Sequence, residues 1–395
     1  MLAKKKVLVF VSYFSPGFKA GGPISTIRNM VEQLSDEFEF WIVTRDRDLG
    51  EIEPYGGIQC DSWLQFGKAN IYYVSEEQLT ISVFCKIATQ LNCDVIYFNS
   101  FFDVGVTFKP LLSVVFSLKN VPVIIAPRGE FSAGALTLKP IKKRLFIWAT
   151  KWLYSQRNIL WHASTDLEEA DIISVQRVNK GKVFIAKDLF CISDVSSAIR
   201  IPIQRKRTAL KLVFLSRISP MKNLDYALDI LSAVDTRVSI QLDLYGPKED
   251  RDYWSLCESL IAKLPRQVSV NYCGVVEPSD VVDIFTQYDL FFFPTRGENY
   301  GHVIAEALSV GTLVLISDQT PWHNLETDGL GWSFSLSYAE GFISVINRLY
   351  DNVIESNYHE KRVVRIEKAM NRLQASEDVA ANRALFQAAL ENIER

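Results

Sequence analysis

The feature that most constrains this chain is a succession of short apolar runs, each followed by a stretch with helical periodicity. In the first half the runs lie at 7–12, 40–44, 71–74, 95–99, 123–126, 160–163 and 183–186; in the second, at 211–216, 239–245, 269–273, 290–293 and 314–317. Several are apolar at every position rather than at alternate ones. A strand with that pattern is buried on both faces, as in a parallel sheet covered by helices. Strands alternating with helices predict doubly wound α/β architecture. The 395 residues are too many for one ordinary core, so two domains are expected.

The strand pattern restarts after Ile-Pro-Ile-Gln-Arg-Lys-Arg at 201–207, which reads as the linker. The expected layout is a Rossmann-like domain over 1–200, a second over 208–375, and a terminal helix over 376–395. Ser376 is the expected N-cap of that helix, with Val379, Phe386, Ala389, Leu390 and Ile393 at helical spacing. Its apolar face packs either on its own domain or back on the first. Two such halves facing a central cleft would bind ligands at the carboxyl ends of their strands.

Composition narrows the class. With 48% apolar and 23% charged residues the chain is globular rather than disordered. A net charge of −3 supplies no global basic field, so nucleic acid is not an expected partner. The six cysteines form no C-x-x-C pair and read as reduced thiols of a cytoplasmic protein. The four histidines make no i, i+4 pair, and no metal site or resident cofactor is expected. Lys4-Lys5-Lys6 before an apolar run imitates a signal peptide. The run is short and no small-x-small cleavage site follows, so a first buried strand is expected there. The apolar stretch at 111–118 is far below the ~20 residues of a spanning helix.

Four strand-end segments carry candidate chemistry. In Pro294-Thr295-Arg296-Gly297-Glu298-Asn299-Tyr300-Gly301-His302, a loop leads from an apolar strand into a helix that contains Glu306. Free amides at a helix start favour an anion such as a diphosphate. A carboxylate can accept two hydrogen bonds from a diol, so Glu306 could hold a ribose and Glu298 the hydroxyls of a sugar. After the strand at 211–216, Arg217 and Lys222 flank a loop where two cations could neutralise a diphosphate. Gly21-Gly22 follow the first strand and precede a helix, as a phosphate contact or a plain turn. Arg128 and Glu130, after the strand at 123–126, are expected to face the cleft or to form a strand-end salt bridge.

Two further segments divide between structure and function. His162 is either a satisfied core histidine or a ligand contact, while Thr165 and Glu168 read as a capping box. The segment from Lys139 to Tyr154 places Ile141, Leu145, Trp148 and Trp152 on one helical face, with Lys142, Lys143, Arg144 and Lys151 elsewhere. It suits a core helix with a solvated basic side, or an anionic membrane surface or lipid-pyrophosphate acceptor. Asp46-x-Asp48 and Asp250-x-Asp252 are chance matches to a metal-binding string and carry no expectation.

Together, Ser216-Arg217 with Lys222-Asn223-Leu224, the stretch from Glu298 to Glu306, and Gly311-Thr312-Leu313-Val314-Leu315-Ile316-Ser317 resemble the C-terminal half of family 4 retaining glycosyltransferases. Thr320-Pro321-Trp322, Gly329-Leu330-Gly331-Trp332, Gly21-Gly22, Pro127-Arg128-Gly129 and His162-Ala163-Ser164 resemble a polysaccharide-synthesis subset of that family. The resemblance implies the two-domain GT-B fold and metal-independent transfer from a nucleotide-diphosphate sugar. The acceptor would be a saccharide or lipid-linked saccharide. It implies Arg217 and Lys222 on the donor phosphates, Glu306 on the ribose, and Glu298 on the sugar. Asn299, Tyr300, Gly301, Gly21 and Gly22 would complete the donor contacts. Arg128, Glu130 and His162 would lie on the acceptor side; many members carry a histidine near the position of Arg128, which leaves contacts there open. The alternatives are an inverting GT-B transferase, a nucleotide-sugar epimerase and a non-catalytic nucleotide-sugar-binding subunit.

Overall fold

The computed structural model describes residues 3–118, 120–137, 140–155, 159–191, 209–354, 358–373 and 376–391. The linker read at 201–207 lies outside them. The chain divides into two compact units, Met1–Cys191 with Ser376–Arg395, and Ile192–Ala375.

The first unit is built on an eight-stranded sheet of order β3-β4-β2-β1-β5-β6-β7-β8. Its strands are β1 (Lys5–Phe10), β2 (Phe38–Arg45), β3 (Trp63–Phe66), β4 (Ala69–Val74), β5 (Val95–Phe98), β6 (Val123–Ile125), β7 (Ile159–Ala163) and β8 (Val183–Ile185). All pair in parallel except β3, which runs antiparallel to β4. β1 shows why a continuous apolar run marks a central strand. Leu8 and Phe10 face one core layer and Val7 and Val9 the other, and all four are buried. β3 is missing from the sequence reading: its run is short, lies at the sheet edge, and leaves Gln65 and Phe66 exposed.

The terminal helix Ser376–Glu391 belongs to this unit. Leu385, Phe386 and Ala389 are buried in the same core layer as Val7 and Val9. The Phe386 ring lies 5.1 Å from Phe38 and 5.9 Å from Tyr97. Asn382, buried, donates to the Lys187 carbonyl at 2.8 Å. Burying a phenylalanine contributes about 2 kcal/mol, so this face holds the chain end firmly to the first sheet.

The second unit carries a six-stranded parallel sheet of order β11-β10-β9-β12-β13-β14. Its strands are β9 (Leu210–Leu215), β10 (Ile240–Tyr245), β11 (Val268–Gly274), β12 (Leu290–Phe293), β13 (Leu313–Ser317) and β14 (Gly331–Phe334). The order reverses direction between β9 and β12, so the loops that leave these two neighbours diverge at a topological switch point. β14, a four-residue edge strand, also escapes the sequence reading.

The helix Pro140–Ser155 corrects the core-helix reading of its apolar stripe. Ile141, Leu145 and Trp148 are 82%, 61% and 75% exposed. The helix is anchored instead through Phe146, Ile147, Thr150 and Leu153. Phe146 sits 5.8 Å from Phe101 and 5.6 Å from both Phe102 and Phe108. The aromatic cluster of the first unit selects the anchoring face, and helical spacing alone does not reveal it. The side chain of Trp152 lies outside the described residues.

Candidate functional site

In the second unit the loops that follow β9 and β12 are knitted together by their backbones. Asn223, in a left-handed conformation (φ 63°), caps the helix Leu224–Ser232 and is buried. Its amide nitrogen donates to the Pro294 carbonyl at 2.8 Å, and its amide oxygen accepts from Arg296 Nε at 2.8 Å. Arg296 N donates to the Met221 carbonyl at 2.9 Å, and Thr295 Oγ1 to the same carbonyl at 3.1 Å. Glu298 N donates to the Gln319 carbonyl at 3.0 Å, tying in the loop that leaves β13.

This lattice brings two of the predicted residues into contact. Lys222 Nζ forms an ion pair with Glu298 Oε1, and the side chains are only 13% and 14% exposed. Lys222 also lies over the Phe293 ring, 5.7 Å from its centroid. Cation and carboxylate therefore share one largely sheltered spot at the carboxyl ends of β9 and β12, where Coulomb attraction is stronger than on an open surface.

Gly301 begins the helix His302–Ser309 with φ 81°. A Cβ there would meet Ile304 Cδ1 at 2.9 Å and Trp322 Nε1 at 3.5 Å, so both backbone and packing call for glycine. Trp322 Nε1 donates to the Tyr300 carbonyl at 2.5 Å, and the Tyr300 ring packs 5.4 Å from Trp322 and 4.8 Å from His302. These aromatic contacts fix the path from Glu298 through Asn299 and Tyr300 into the helix. Glu306, half-buried, lies four residues into it.

Arg217 sits at the start of the β9 loop, and the structure joins it to neither Lys222 nor Glu298. Its guanidinium donates to Glu249 Oε1 at 2.9 Å, with the two side chains 37% and 42% exposed. Gly246 (φ 127°) lets the β10 loop approach: a Cβ there would come 2.0 Å from the Ser216 carbonyl oxygen. Ile218 N donates to the Pro247 carbonyl at 2.9 Å, which fixes the loop that carries Arg217.

The first unit gathers a second set of strand-end residues with a different outcome. Arg128 (φ 55°) donates to Asn99 Oδ1 at 2.7 Å, Ser164 Oγ at 2.8 Å and the Tyr97 hydroxyl at 2.5 Å, and is ion-paired with Asp188. The Arg128 and Asp188 side chains are 7% and 4% exposed. Asp188 also accepts from Thr26 Oγ1 at 2.9 Å, tying in the helix Gly22–Leu34. Of the two readings open for Arg128, the structure shows the strand-end salt bridge: parts of the chain distant in sequence supply its acceptors.

Glu130, half-buried, is likewise engaged by neighbouring donors. It accepts from Phe101 N at 2.6 Å, Phe102 N at 3.1 Å and Ser100 Oγ at 2.9 Å, holding the loop after β5. Burial pushes its carboxyl up to about 7, against the pull of these donors. His162 is fully buried and is the core histidine rather than a ligand contact. Nε2 lies 2.7 Å from the Ala186 carbonyl, an acceptor, so Nε2 carries the proton. Nδ1 then accepts from the Tyr97 hydroxyl at 2.8 Å, and the Tyr97 oxygen in turn accepts from Arg128. Burial depresses the imidazole to about 3, and Arg128 adds to the shift.

Sequence reasoning missed Asp188, the acid that follows β8. A lone carboxylate just beyond a buried strand was the available signal. The capping box is only half formed: Thr165 Oγ1 accepts from Glu168 N at 3.1 Å, but the Glu168 carboxylate serves Gly129 N at 2.6 Å and Ser164 N at 2.8 Å. Gly21 and Gly22 are exposed at the start of the helix Gly22–Leu34 in the first unit. Asp48 braces the loop before them, accepting from Phe18 N at 2.8 Å and Lys19 N at 3.1 Å. Asp250 caps the helix Arg251–Ile261 by accepting from Tyr253 N at 2.9 Å. Both acids have structural duties.

Comparison with known proteins agrees with this architecture. Residues 196–374 match the family model described as glycosyl transferases group 1. No curated protein sequence matches the chain. Among solved structures, HepE of Anabaena in complex with UDP and glucose is similar with a TM-score of 0.68 and 14% identity, covering 98% of this chain and 99% of that one. The sucrose-phosphate synthase of Thermosynechococcus elongatus is similar with a TM-score of 0.69 and 13% identity, covering 98% and 100%. A glycosyltransferase from Rickettsia africae follows with 0.66 and 11%, covering 98% and 99%. At these identities the likeness concerns the fold, which is GT-B.

Proposed function

We propose, from the premise that this chain carries a glycosyl transferases group 1 domain on a GT-B fold, that it is a retaining glycosyltransferase that uses a nucleotide-diphosphate sugar. The observation that carries the reading is the contact of Lys222 with Glu298 at the carboxyl ends of β9 and β12, leading into the helix that holds Glu306. A diphosphate arriving there competes with Glu298 for Lys222, and a released Glu298 can accept hydrogen bonds from sugar hydroxyls. Arg217, partly exposed at the start of the same β9 loop, supplies a second cation. Glu306 holds the ribose diol. Asn299, Tyr300 and Gly301 present backbone to the donor, and Gly21 and Gly22 are proposed to contact phosphate.

In this reading the bond from the anomeric carbon to the donor phosphate breaks, and the acceptor oxygen bonds that carbon on the same face. The acceptor's proton passes to the leaving phosphate oxygen. Lys222 and Arg217 stabilise the charge that develops on that oxygen. The protein's own cations take this role, so the proposal includes independence from metal and from any resident cofactor: turnover should survive chelation by EDTA. The acceptor is a saccharide or lipid-linked saccharide of cell-surface polysaccharide or glycolipid synthesis, met by a cytoplasmic enzyme at the inner face of a membrane. Arg128, Glu130 and His162 would act on the acceptor side by holding the strand-end loops of the first unit in shape.

The test is a thermal-shift screen against nucleotide sugars, beginning with UDP-glucose because a structure of HepE was solved with it. A binding donor present at about 100 times its Kd stabilises the folded state by about 2.7 kcal/mol. Analysis of the product anomer follows. An inverted linkage would overturn the retaining mechanism, and silence across the panel would overturn donor binding.

A further inference from the structure

The helix Pro140–Ser155 turns an apolar stripe away from the protein. Ile141, Leu145 and Trp148 are among the most exposed large hydrophobic side chains described. At 100° per residue they fall within about 60° of one another on the helix wheel. The opposite side is committed to the fold through Phe146, Ile147, Thr150 and Leu153. Solvated single hydrophobics are ordinary, but three in register on one helix form a patch that wants an occupant.

The charges around the stripe decide what that occupant is. Lys142 lies on one shoulder, about 100° from Ile141, and Arg144 and Lys151 on the other, about 60–80° from it. All three residues are exposed. Lys143 is turned inward, with its Nζ 4.9 Å from the Phe102 ring centroid and 2.8 Å from the Ala135 carbonyl. In sequence no aspartate or glutamate occurs from 131 to 165, although the chain as a whole is acidic. An apolar ridge between cationic shoulders, with no acid along it, complements a surface that is apolar in depth and anionic at its edge. A bilayer with anionic headgroups has that profile. A protein partner would need an apolar groove rimmed by acids.

We infer that this helix is an in-plane membrane contact: Ile141, Leu145 and Trp148 enter the acyl boundary, while Lys142, Arg144 and Lys151 rest on anionic headgroups. The stripe covers one side of a 16-residue helix whose other side is anchored in the fold, so the contact is lateral. The inference gives the membrane association of the proposed function a surface, but it stands on the helix geometry and not on the donor site.

The test uses the full chain and two kinds of vesicle, phosphatidylcholine alone and phosphatidylcholine with phosphatidylglycerol. Partition onto the anionic vesicles should be strong and should weaken with added salt. Lys142→Gln/Arg144→Gln/Lys151→Gln should lower it by about 100-fold, at roughly fivefold per charge. Leu145→Ser and Trp148→Ser should each lower it by about tenfold, and Lys143→Gln should have little effect. Far-UV circular dichroism and the donor-induced thermal shift should be unchanged in every variant. Absence of partition in the parent, or equal partition in the triple and serine variants, would overturn the inference. So would a dimer seen by light scattering that Trp148→Ser dissolves while vesicles fail to bind, which would assign the face to a second copy of the chain. A failed donor screen with intact vesicle binding would remove the transferase reading alone.

Discussion

Two strand-end clusters, one in each unit, begin from nearly the same sequence material and end in opposite states. In the first unit Arg128 follows β6 and meets Asp188, with Tyr97, Asn99, Ser164 and His162 closing around it. In the second unit Lys222 follows β9 and meets Glu298, with a single aromatic ring beneath it. The first pair is sealed and held from many directions. The second is partly open, and its lysine is given one carboxylate. A cation at the carboxyl end of a parallel strand is therefore not in itself a ligand site. On the proposed reading, what separates a keystone from a binding group is how many acceptors the fold commits to it.

The contrast breaks most readily at Arg128. Arg128→Ala would strand the buried Asp188 carboxylate and should cost about 3–5 kcal/mol in denaturant unfolding. Protein that remains folded should keep its donor affinity. A stable variant with selectively lost affinity would place Arg128 in a site and dissolve the distinction.

Lys222→Ala and Glu306→Ala should do the reverse. Each should lower transfer by about 10²–10³-fold, comparable to losing one preorganised charge-stabilising group, with the melting temperature nearly unchanged. Near-normal turnover in either folded variant would remove the donor-site assignment.

A smaller effect sharpens the picture through pH. His162 is held neutral, with its pKa depressed from 6.5 to about 3 by burial, so the unfolded chain binds the extra proton between these values. Its contribution is complete above about 6.5 and falls as pH drops toward 3. Glu130 is raised from 4.5 to about 7, so the folded state holds the extra proton and stability falls as pH rises across that window. The two slopes oppose each other between about 4.5 and 6.5, each by at most about 1.4 kcal/mol per pH unit. Glu130→Gln removes one of them. Its unfolding free energy should fall more steeply on acidification than the parent's, and equal slopes would show that Glu130 does not titrate there.

Much of the scaffold was legible in the residues. Continuous apolar runs such as Phe291-Phe292-Phe293 occur because central parallel strands bury both faces, and the runs from 7–12 to 314–317 all fall on strands. The edge strands β3 and β14 were missed because each is only four residues long and buries no two consecutive side chains, whereas the edge strands β8 and β11 carry readable apolar or β-branched runs. Gly301 was legible as a helix start, while its contact with Trp322 was not.

The sequence by itself determined the parallel α/β architecture, the strand-end loops and the residue types able to meet a diphosphate and a diol. These follow from local periodicity and short-range chemistry. Tertiary structure decided which of those residues face inward. Asp188 lies 60 residues from Arg128, and Glu298 lies 76 from Lys222. It also decided which face of the helix Pro140–Ser155 is anchored, through Phe101, Phe102 and Phe108. The physical reason is the same in each case. A side chain's direction is set by the partners that the fold brings to it, and those partners are distant in sequence.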